Sequence, residues 1–187
     1  MQYAARAERE NIPCQTPRVL FDAWDREADG FAIDLFASAN NALCKRFFTA
    51  EDDAITSQWK AKGKAVFANP TYGGNMQAEV IDKALTEVRV AERGREAWLL
   101  LQANTSSSWF RKAVETSQVW LFAGRINFDV PPGHQIKSKQ SSSTFANALV
   151  VVRQVGSPTG IMGFRSPRTG LVLPPLEHVE YSPPPCV

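Results

Sequence analysis

The sequence predicts an α/β fold: a Rossmann-like, mostly parallel and doubly wound sheet with helices on both faces. The first observation is that strand-like and helical patterns alternate from about residue 16 to residue 153. The second is that short apolar runs bounded by turn residues, such as Ala65–Ala68, are typical of strands buried on both faces. The third is that polar residues follow several of these runs, where parallel sheets bind their ligands.

The composition limits the possible functions. The 187 residues, of which 44% are hydrophobic and 21% charged, suit one globular domain with a real core. No apolar run could span a bilayer, and the first ten residues lack a signal-peptide core, so we expect a cytoplasmic location. Three scattered cysteines and two histidines offer no metal-ligand spacing, so no metal is expected. A net charge of +2 neither indicates nor excludes a nucleic-acid partner.

The chain opens with residues 1–14, which we expect to be a loose lead-in. Thr16 and Pro17 are typical of a helix start, and Gly30 is typical of a helix end. The next segment, 31–38, reads as the first core strand and carries Asp34 near its carboxyl end. A buried carboxylate needs partners, which could be backbone N–H groups or a ligand ammonium. An ordinary helix cap or turn aspartate is the alternative interpretation of Asp34.

The central turn follows the core strand Ala65–Ala68 and reads Asn69-Pro70-Thr71-Tyr72-Gly73-Gly74. It combines an amide side chain, a proline that fixes the backbone and an aromatic ring. Carbonyl oxygens there could accept hydrogen bonds from a planar amino-substituted base, and Tyr72 could stack on that base. An ordinary strand-to-loop turn explains the same residues.

The remaining pattern continues the alternation. We predict helices over 76–95 and 109–115, strands over 96–104, 118–122 and 146–152, and a long loop over 129–144 that is either functional or mobile. Residues 154–187 read as a proline- and glycine-rich extension of the domain 1–153, with a small hairpin formed by 161–164 and 170–173. Asp34, Asn69 and Asn104 all follow strands, so we expect them to meet in one cleft.

Asn69-Pro70-Thr71-Tyr72 resembles the (Asn/Asp/Ser)-Pro-Pro-(Tyr/Phe/Trp) motif of amino-methyltransferases, with Thr71 in place of the second proline. The motif belongs to an ordered series over about residues 15–153 that resembles the phage-type, Dam-like DNA N6-adenine methyltransferases. The other matching segments are Thr16-Pro17, Phe31-Ala32-Ile33-Asp34, Asn41-Ala42-Leu43-Cys44, Phe48-Thr49 with Asp53 and Trp59, Trp109-Phe110, Gly124-Arg125-Ile126-Asn127-Phe128 and Ala148-Leu149-Val150-Val151.

The resemblance implies transfer of a methyl group from S-adenosylmethionine to N6 of an adenine flipped out of double-stranded DNA. The expected purpose of this reaction is protection of phage DNA against restriction. It assigns catalysis to Asn69, Pro70 and Tyr72. The residues that it implies at the cofactor are Gln15, Thr16, Pro17, Asp34, Ala37 and Asp53. Arg125, Lys137 and Lys139 are our candidates for contact with DNA phosphates, although the two lysines also suit a solvated loop.

Two departures from the family pattern keep other functions open. Thr71 replaces a proline in the catalytic turn, and Ala54 replaces a glycine after Asp53. A non-catalytic protein that binds DNA or another partner on a methyltransferase scaffold is one alternative. An amino-methyltransferase that acts on RNA or on protein glutamine is the other, because the same turn chemistry permits it.

Overall fold

The computed structural model describes residues 15–129 and 145–175. The expected lead-in 1–14, the residues 130–144 of the expected long loop with Lys137 and Lys139, and the end of the chain from 176 lie outside the described residues. None of the helices within the described ranges has both the length and the apolar character that crossing a bilayer requires.

The described elements follow one another in a simple order. They are α1 (Arg18–Glu27), β1 (Phe31–Asp34), β2 (Ala65–Ala68), α2 (Met76–Leu85) with a π-helical turn (Thr86–Val90), β3 (Glu96–Gln102), α3 (Ser108–Thr116), β4 (Gln118–Phe122), β5 (Asn147–Arg153) and β6 (Gly160–Arg165). The predicted core strands and the predicted third helix are therefore confirmed to within a few residues.

The strands form one six-stranded sheet in the order β1-β2-β3-β5-β4-β6. The β1–β2, β2–β3 and β4–β6 pairs are parallel, whereas β5 is antiparallel to both β3 and β4. The α/β class is confirmed, but the sheet is mixed rather than purely parallel. An antiparallel strand needs no crossover helix, and the sequence between β4 and β5 shows no helical period.

Helices cover both faces of the sheet, as predicted. The face covered by α2 and α3 buries one apolar cluster, and the face covered by α1 buries the other. The first cluster includes Val66, Leu99, Val150, Ile81 and Phe110. The second includes Phe67, Trp98, Leu149, Leu20 and Trp24. Alternate residues of β2, β3 and β5 thus enter opposite cores, which explains why these strands read as continuous apolar runs.

Two elements are shorter than the sequence indicates. β1 ends at Asp34 rather than near residue 38, and the chain bends at Leu35 and Phe36, where the N–H of Phe36 lies 3.5 Å from the Asp34 carboxylate. The helix predicted to reach residue 95 changes at Thr86 into a π-helical turn, within which the Glu87 side chain is fully buried. Arg93 and Lys83 form ion pairs with that carboxylate.

The segment after residue 153 contributes to the main sheet. β6 pairs with β4 along its whole length, and Arg165 forms an isolated antiparallel bridge with Val172. The hairpin expected within the extension is therefore reduced to this bridge and its neighbouring hydrogen bonds.

Candidate active site

The polar residues of the expected cleft lie at one edge of the sheet. β1, β2 and β3 are parallel, so their carboxyl ends meet at this edge, which we call the carboxyl edge. β5 runs the other way, and its first residue, Asn147, pairs with Gln102 at the end of β3. The carboxyl edge therefore brings together Asp34, Asn69, Gln102 and Asn147.

Asn69 is the first residue after β2, and both ends of its amide group have partners. Its Nδ2 donates to Oγ1 of Thr16 at 3.0 Å, and the Tyr72 hydroxyl lies 3.4 Å from its Oδ1. Asn69 is half-buried and Pro70 is buried. The amide is thereby held in one orientation at the carboxyl edge, as a group that must position a reacting amine requires.

The Tyr72 hydroxyl joins this turn to the neighbouring strands. It accepts a hydrogen bond from Nδ2 of Asn147 at 3.0 Å. It also lies 3.4 Å from the carbonyl oxygen of Leu100, the same distance as from Oδ1 of Asn69. A phenol has one proton, so the hydroxyl donates to only one of these two acceptors at a time.

Asn147 is a site residue that the sequence reasoning missed. It is 1% exposed, and its Nδ2 also lies 3.5 Å from the Leu101 carbonyl oxygen. Its Oδ1 is buried and has no hydrogen-bond partner among the described residues. Buried polar groups without partners are rare and point to strain or to function. The signal was visible in the sequence, because an amide interrupts the otherwise apolar run 146–152.

The segment before α1 reaches the site through Thr16. We expected Thr16 to cap the helix, but α1 has no side-chain cap, and the buried Thr16 hydroxyl accepts the hydrogen bond from Asn69 instead. Pro17 occupies the cap position. Gln15 exchanges two backbone hydrogen bonds of 2.9 Å with Asp129. These bonds hold the segment before α1 beside the segment that follows β4.

Asp34 is only 3% exposed at the end of β1. The N–H of Leu43 donates to its Oδ2 at 3.1 Å, and the N–H of Phe36 lies 3.5 Å from its Oδ1. Burial raises the pKa of Asp34, and these two backbone hydrogen bonds partly offset the rise. Ala37 is half-buried in the same loop, where its N–H donates to the Phe48 carbonyl at 3.0 Å.

Asp53 lies on an exposed turn with a left-handed backbone (φ +46°). Its carboxylate accepts hydrogen bonds from the hydroxyl of Thr56 at 2.7 Å and the N–H of Ile55 at 3.0 Å, and these lower the pKa of Asp53. The neighbouring Ala54 is buried, and its carbonyl accepts from the Trp59 indole at 2.8 Å. The turn is thus tied to the core behind it.

The other predicted residues fall in different places. Asn104 is exposed, and its carbonyl caps the turn at Ser107. Gln77 of α2, which was not predicted, also reaches the edge, because its Oε1 accepts the N–H of Gln102 at 2.8 Å. Arg125 is exposed just after β4.

A six-stranded α/β sheet with one antiparallel strand, and a tethered amide-aromatic turn at its carboxyl edge, is consistent with a methyltransferase fold. The comparison with protein families makes this specific: residues 6–170 match the DNA N-6-adenine-methyltransferase (Dam) family. The chain belongs to this family, and the resemblance stated from the sequence is confirmed.

Two relatives agree with the family match. The chain is 26% identical over 110 residues to the DNA N-6-adenine-methyltransferase of Escherichia phage T1, across 58% of this chain and 44% of that protein. It is 36% identical over 84 residues to YfdM of Escherichia coli K12, which carries a methyltransferase name, across 36% of this chain and 90% of that protein. The chain thus spans less than half the length of the T1 enzyme.

Proposed function

We propose that the chain is an S-adenosylmethionine-dependent methyltransferase that acts on N6 of adenine in DNA. The observation that carries the proposal is the Asn69 amide, held between Thr16 and Tyr72 at the carboxyl edge in a member of the Dam family. A methyl group on N6 projects into the major groove, where DNA-binding proteins read adenine, so methylation would protect the DNA against restriction.

The Asn69 turn supplies the acceptors that such a reaction needs. Oδ1 of Asn69 and the carbonyl of Pro70 would accept the two N–H bonds of the adenine amino group and aim its lone pair. As the nitrogen attacks, it becomes positively charged, and these carbonyl dipoles stabilise that charge. Tyr72 can release Oδ1 of Asn69 for the base by donating to the Leu100 carbonyl, which lies at the same distance.

The side chains around Asp34 and the Asn69 turn have chemistry that fits the cofactor. S-adenosylmethionine, when bound, supplies the electrophilic methyl group and carries an ammonium and a carboxylate. Asp34 would bind the ammonium, which would offset the cost of keeping its carboxylate ionised while buried. Gln15, Thr16 and Pro17 would hold the methionine part from beside the Asn69 turn, as the contact of Thr16 with Asn69 supports. Ala37 would line the same side, and Asp53 would face the adenosine.

The DNA would be held mainly through its phosphates. Arg125 is exposed after β4, and Lys137 and Lys139 follow in the chain. The target adenine must leave the stack before its amino group can reach Asn69. The Tyr72 ring would then stack on the extruded base.

The test is methyl transfer from labelled S-adenosylmethionine to unmethylated duplex DNA, followed by digestion and analysis for N6-methyladenine. We expect product with the native chain and none above background with Asn69→Ala. The matched control is Asn75→Ala, an exposed asparagine in the same loop whose side chain makes no helix-cap hydrogen bond. N6-methyladenine formed equally well by Asn69→Ala would overturn the proposal.

Failure of the native chain to methylate DNA would also count against the proposal. Cofactor binding, measured by calorimetry, would then separate the alternatives. Binding without DNA methylation would direct the search to RNA or protein glutamine. No binding would favour a scaffold without catalysis.

A further inference from the structure

A cavity of about 450 Å³ lies beyond the ends of β4 and β6, away from the Asn69 turn. β4 and β6 are parallel to β1–β3, since each is related to them through the antiparallel β5, so this cavity opens at the same carboxyl edge. Its lining includes Gly124, Arg125, Asn127, Ser166, Arg168 and Leu173. We call it the arginine cleft.

The arginine cleft is basic. Two of its lining residues, Arg125 and Arg168, are exposed arginines, and none of the described residues that line it is an Asp or a Glu. The buried Arg165 nearby does not add to this charge, because Glu27 pairs with both ends of its guanidinium at 2.8 and 2.7 Å. The cleft therefore presents the guanidinium of Arg168, with amide and hydroxyl groups, to an anion, and Arg125 adds a second positive charge to its lining.

The turn that carries Arg168 is held in place before any ligand arrives. Oγ of Ser166 accepts the N–H of Arg168 at 3.3 Å and the N–H of Thr169 at 3.2 Å. At the far end, the carbonyl of Gly170 accepts from the Arg165 guanidinium at 3.0 Å and from the Trp24 indole at 3.2 Å. Binding would thus order only the arginine side chain and not the backbone, which limits its entropic cost.

The distance from the Asn69 turn suits a DNA backbone. β4 lies three strand positions from β2 and β6 lies four, which at about 4.8 Å per position gives roughly 14 and 19 Å. For a duplex whose axis lies along the carboxyl edge and rises about 3.4 Å per base pair, this distance corresponds to roughly four to six base pairs from the base held at Asn69.

We propose that the arginine cleft binds a phosphate of the DNA backbone four to six base pairs to one side of the target adenine, with Arg168 as its principal contact and Arg125 as the second. This inference rests on the proposed function. It adds a contact from the segment after residue 153, and it assigns to the extension a role in holding the substrate.

The first test is the salt dependence of binding to a duplex of about 20 base pairs with one target adenine, for the native chain and for Arg168→Ala. Loss of one phosphate contact should lower affinity several-fold and reduce the slope of log K against log salt by about 0.9. Arg168→Lys, which keeps the positive charge, should lie between the native chain and Arg168→Ala in both affinity and salt slope. The matched control, Arg26→Ala, removes an exposed arginine in the last turn of α1 that is not among the residues lining the cleft, and it should change neither.

The second test uses the expected distance. Duplexes are shortened towards the target adenine from each end in turn. The difference between the native chain and Arg168→Ala should vanish once the duplex ends closer than about four base pairs on one side, and it should persist when only the other side is shortened. A difference that survives shortening on both sides, or an unchanged salt slope in Arg168→Ala, would overturn the arginine cleft as a DNA site.

The two proposals can fail separately. If the native chain binds DNA in an Arg168-dependent way but forms no N6-methyladenine, the cleft stands and the proposed reaction fails. If the chain methylates DNA and Arg168→Ala changes neither affinity nor KM, the reaction stands and the cleft fails. Tight binding of inorganic phosphate with no binding of duplex DNA would overturn the cleft as a DNA site.

Discussion

Replacement of Tyr72 by phenylalanine and by alanine separates the two roles that we assign to this residue. Tyr72→Phe removes only the hydroxyl, which lies 3.0 Å from Nδ2 of Asn147 and 3.4 Å from Oδ1 of Asn69. Tyr72→Ala also removes the ring that we expect to stack on the flipped adenine. The first change therefore tests the hydrogen bonds of the hydroxyl, which we call the tether. The second tests the tether and the stacking together.

The structure sets the expected size of each effect. With the described residues, the hydroxyl forms one short hydrogen bond, as acceptor, and one of two long ones, as donor, and loss of these should cost about 1 to 2 kcal/mol of unfolding free energy. The cost stays at this level because Nδ2 of Asn147 keeps the Leu101 carbonyl at 3.5 Å as a second acceptor. Stacking of a base on an aromatic ring contributes about 1 to 3 kcal/mol, which is roughly a 5- to 150-fold change in affinity.

The assay combines three measurements on the two variants and the native chain. Urea unfolding gives stability, fluorescence anisotropy with a duplex that carries a mismatched target adenine gives affinity, and single-turnover methylation gives the rate of the chemical step. We expect Tyr72→Phe to lose stability but to bind DNA within about twofold of the native chain, because the ring remains. Thr16 still holds Asn69 in this variant, so the rate should fall less than about tenfold.

Tyr72→Ala should lose the affinity that stacking provides as well as the stability. Equal loss of DNA affinity in both variants would refute the stacking role, because the phenylalanine ring offers the same face to the base. A double-mutant cycle with Asn147→Ala provides the control for the tether, with a coupling energy of about 1 kcal/mol expected between the two residues. A coupling energy near zero would mean that the short hydrogen bond contributes nothing to stability.

Three further predictions concern buried charges. Because burial raises the pKa of Asp34 above its ordinary value of 3.8, its stabilising contribution is present below that value and is lost as pH rises through the folded-state pKa. Asp34→Asn, which stays neutral, should therefore gain stability relative to the native chain as the pH rises above about 4, measured by urea unfolding, and a difference independent of pH would contradict this. Glu87→Gln leaves the Lys83 and Arg93 charges without their buried carboxylate and should cost about 2 to 3 kcal/mol of unfolding free energy in the same assay. A loss below about 0.5 kcal/mol, the level of a surface substitution, would contradict this prediction. Arg165→Lys cannot reproduce the paired hydrogen bonds to Glu27 and should cost about 2 to 4 kcal/mol of unfolding free energy. Thermal unfolding measures this loss, with Arg168→Lys as the exposed control, and equal melting temperatures for the two variants would contradict the prediction.

The parts of the fold that the sequence predicts are those fixed by local pattern. β2 and β3 are apolar because both faces are buried, and α3 is capped by Ser107, whose Oγ accepts the N–H of Phe110. The Asn69 turn was predicted because a proline and an aromatic ring directly follow a buried strand. Each of these features is decided within about ten residues of chain.

The features that were missed depend on contacts between distant residues. The hydrogen bond between Thr16 and Asn69 is one of them: the resemblance placed Thr16 at the cofactor, but its hydroxyl has the chemistry of a helix cap, and Asn69 lies 53 residues later. Arg168 lies in an extension without a clear pattern, and it reaches the carboxyl edge only because β6 pairs with β4. No periodicity within either segment contains this information.

The direction of β5 shows how such a non-local choice determines the site. In the antiparallel arrangement, Asn147 at the start of β5 pairs with Gln102 at the carboxyl edge, while Arg153 at its end pairs with Glu96 at the opposite edge. If β5 were parallel, as a doubly wound sheet implies, the two ends would exchange places, and Asn147 would lie roughly 20 Å from this edge, given seven residues at about 3.3 Å each. The Tyr72 hydroxyl would then lose its closest hydrogen-bond partner. The strand whose direction the sequence did not predict is therefore the one that ties the proposed catalytic turn to the sheet.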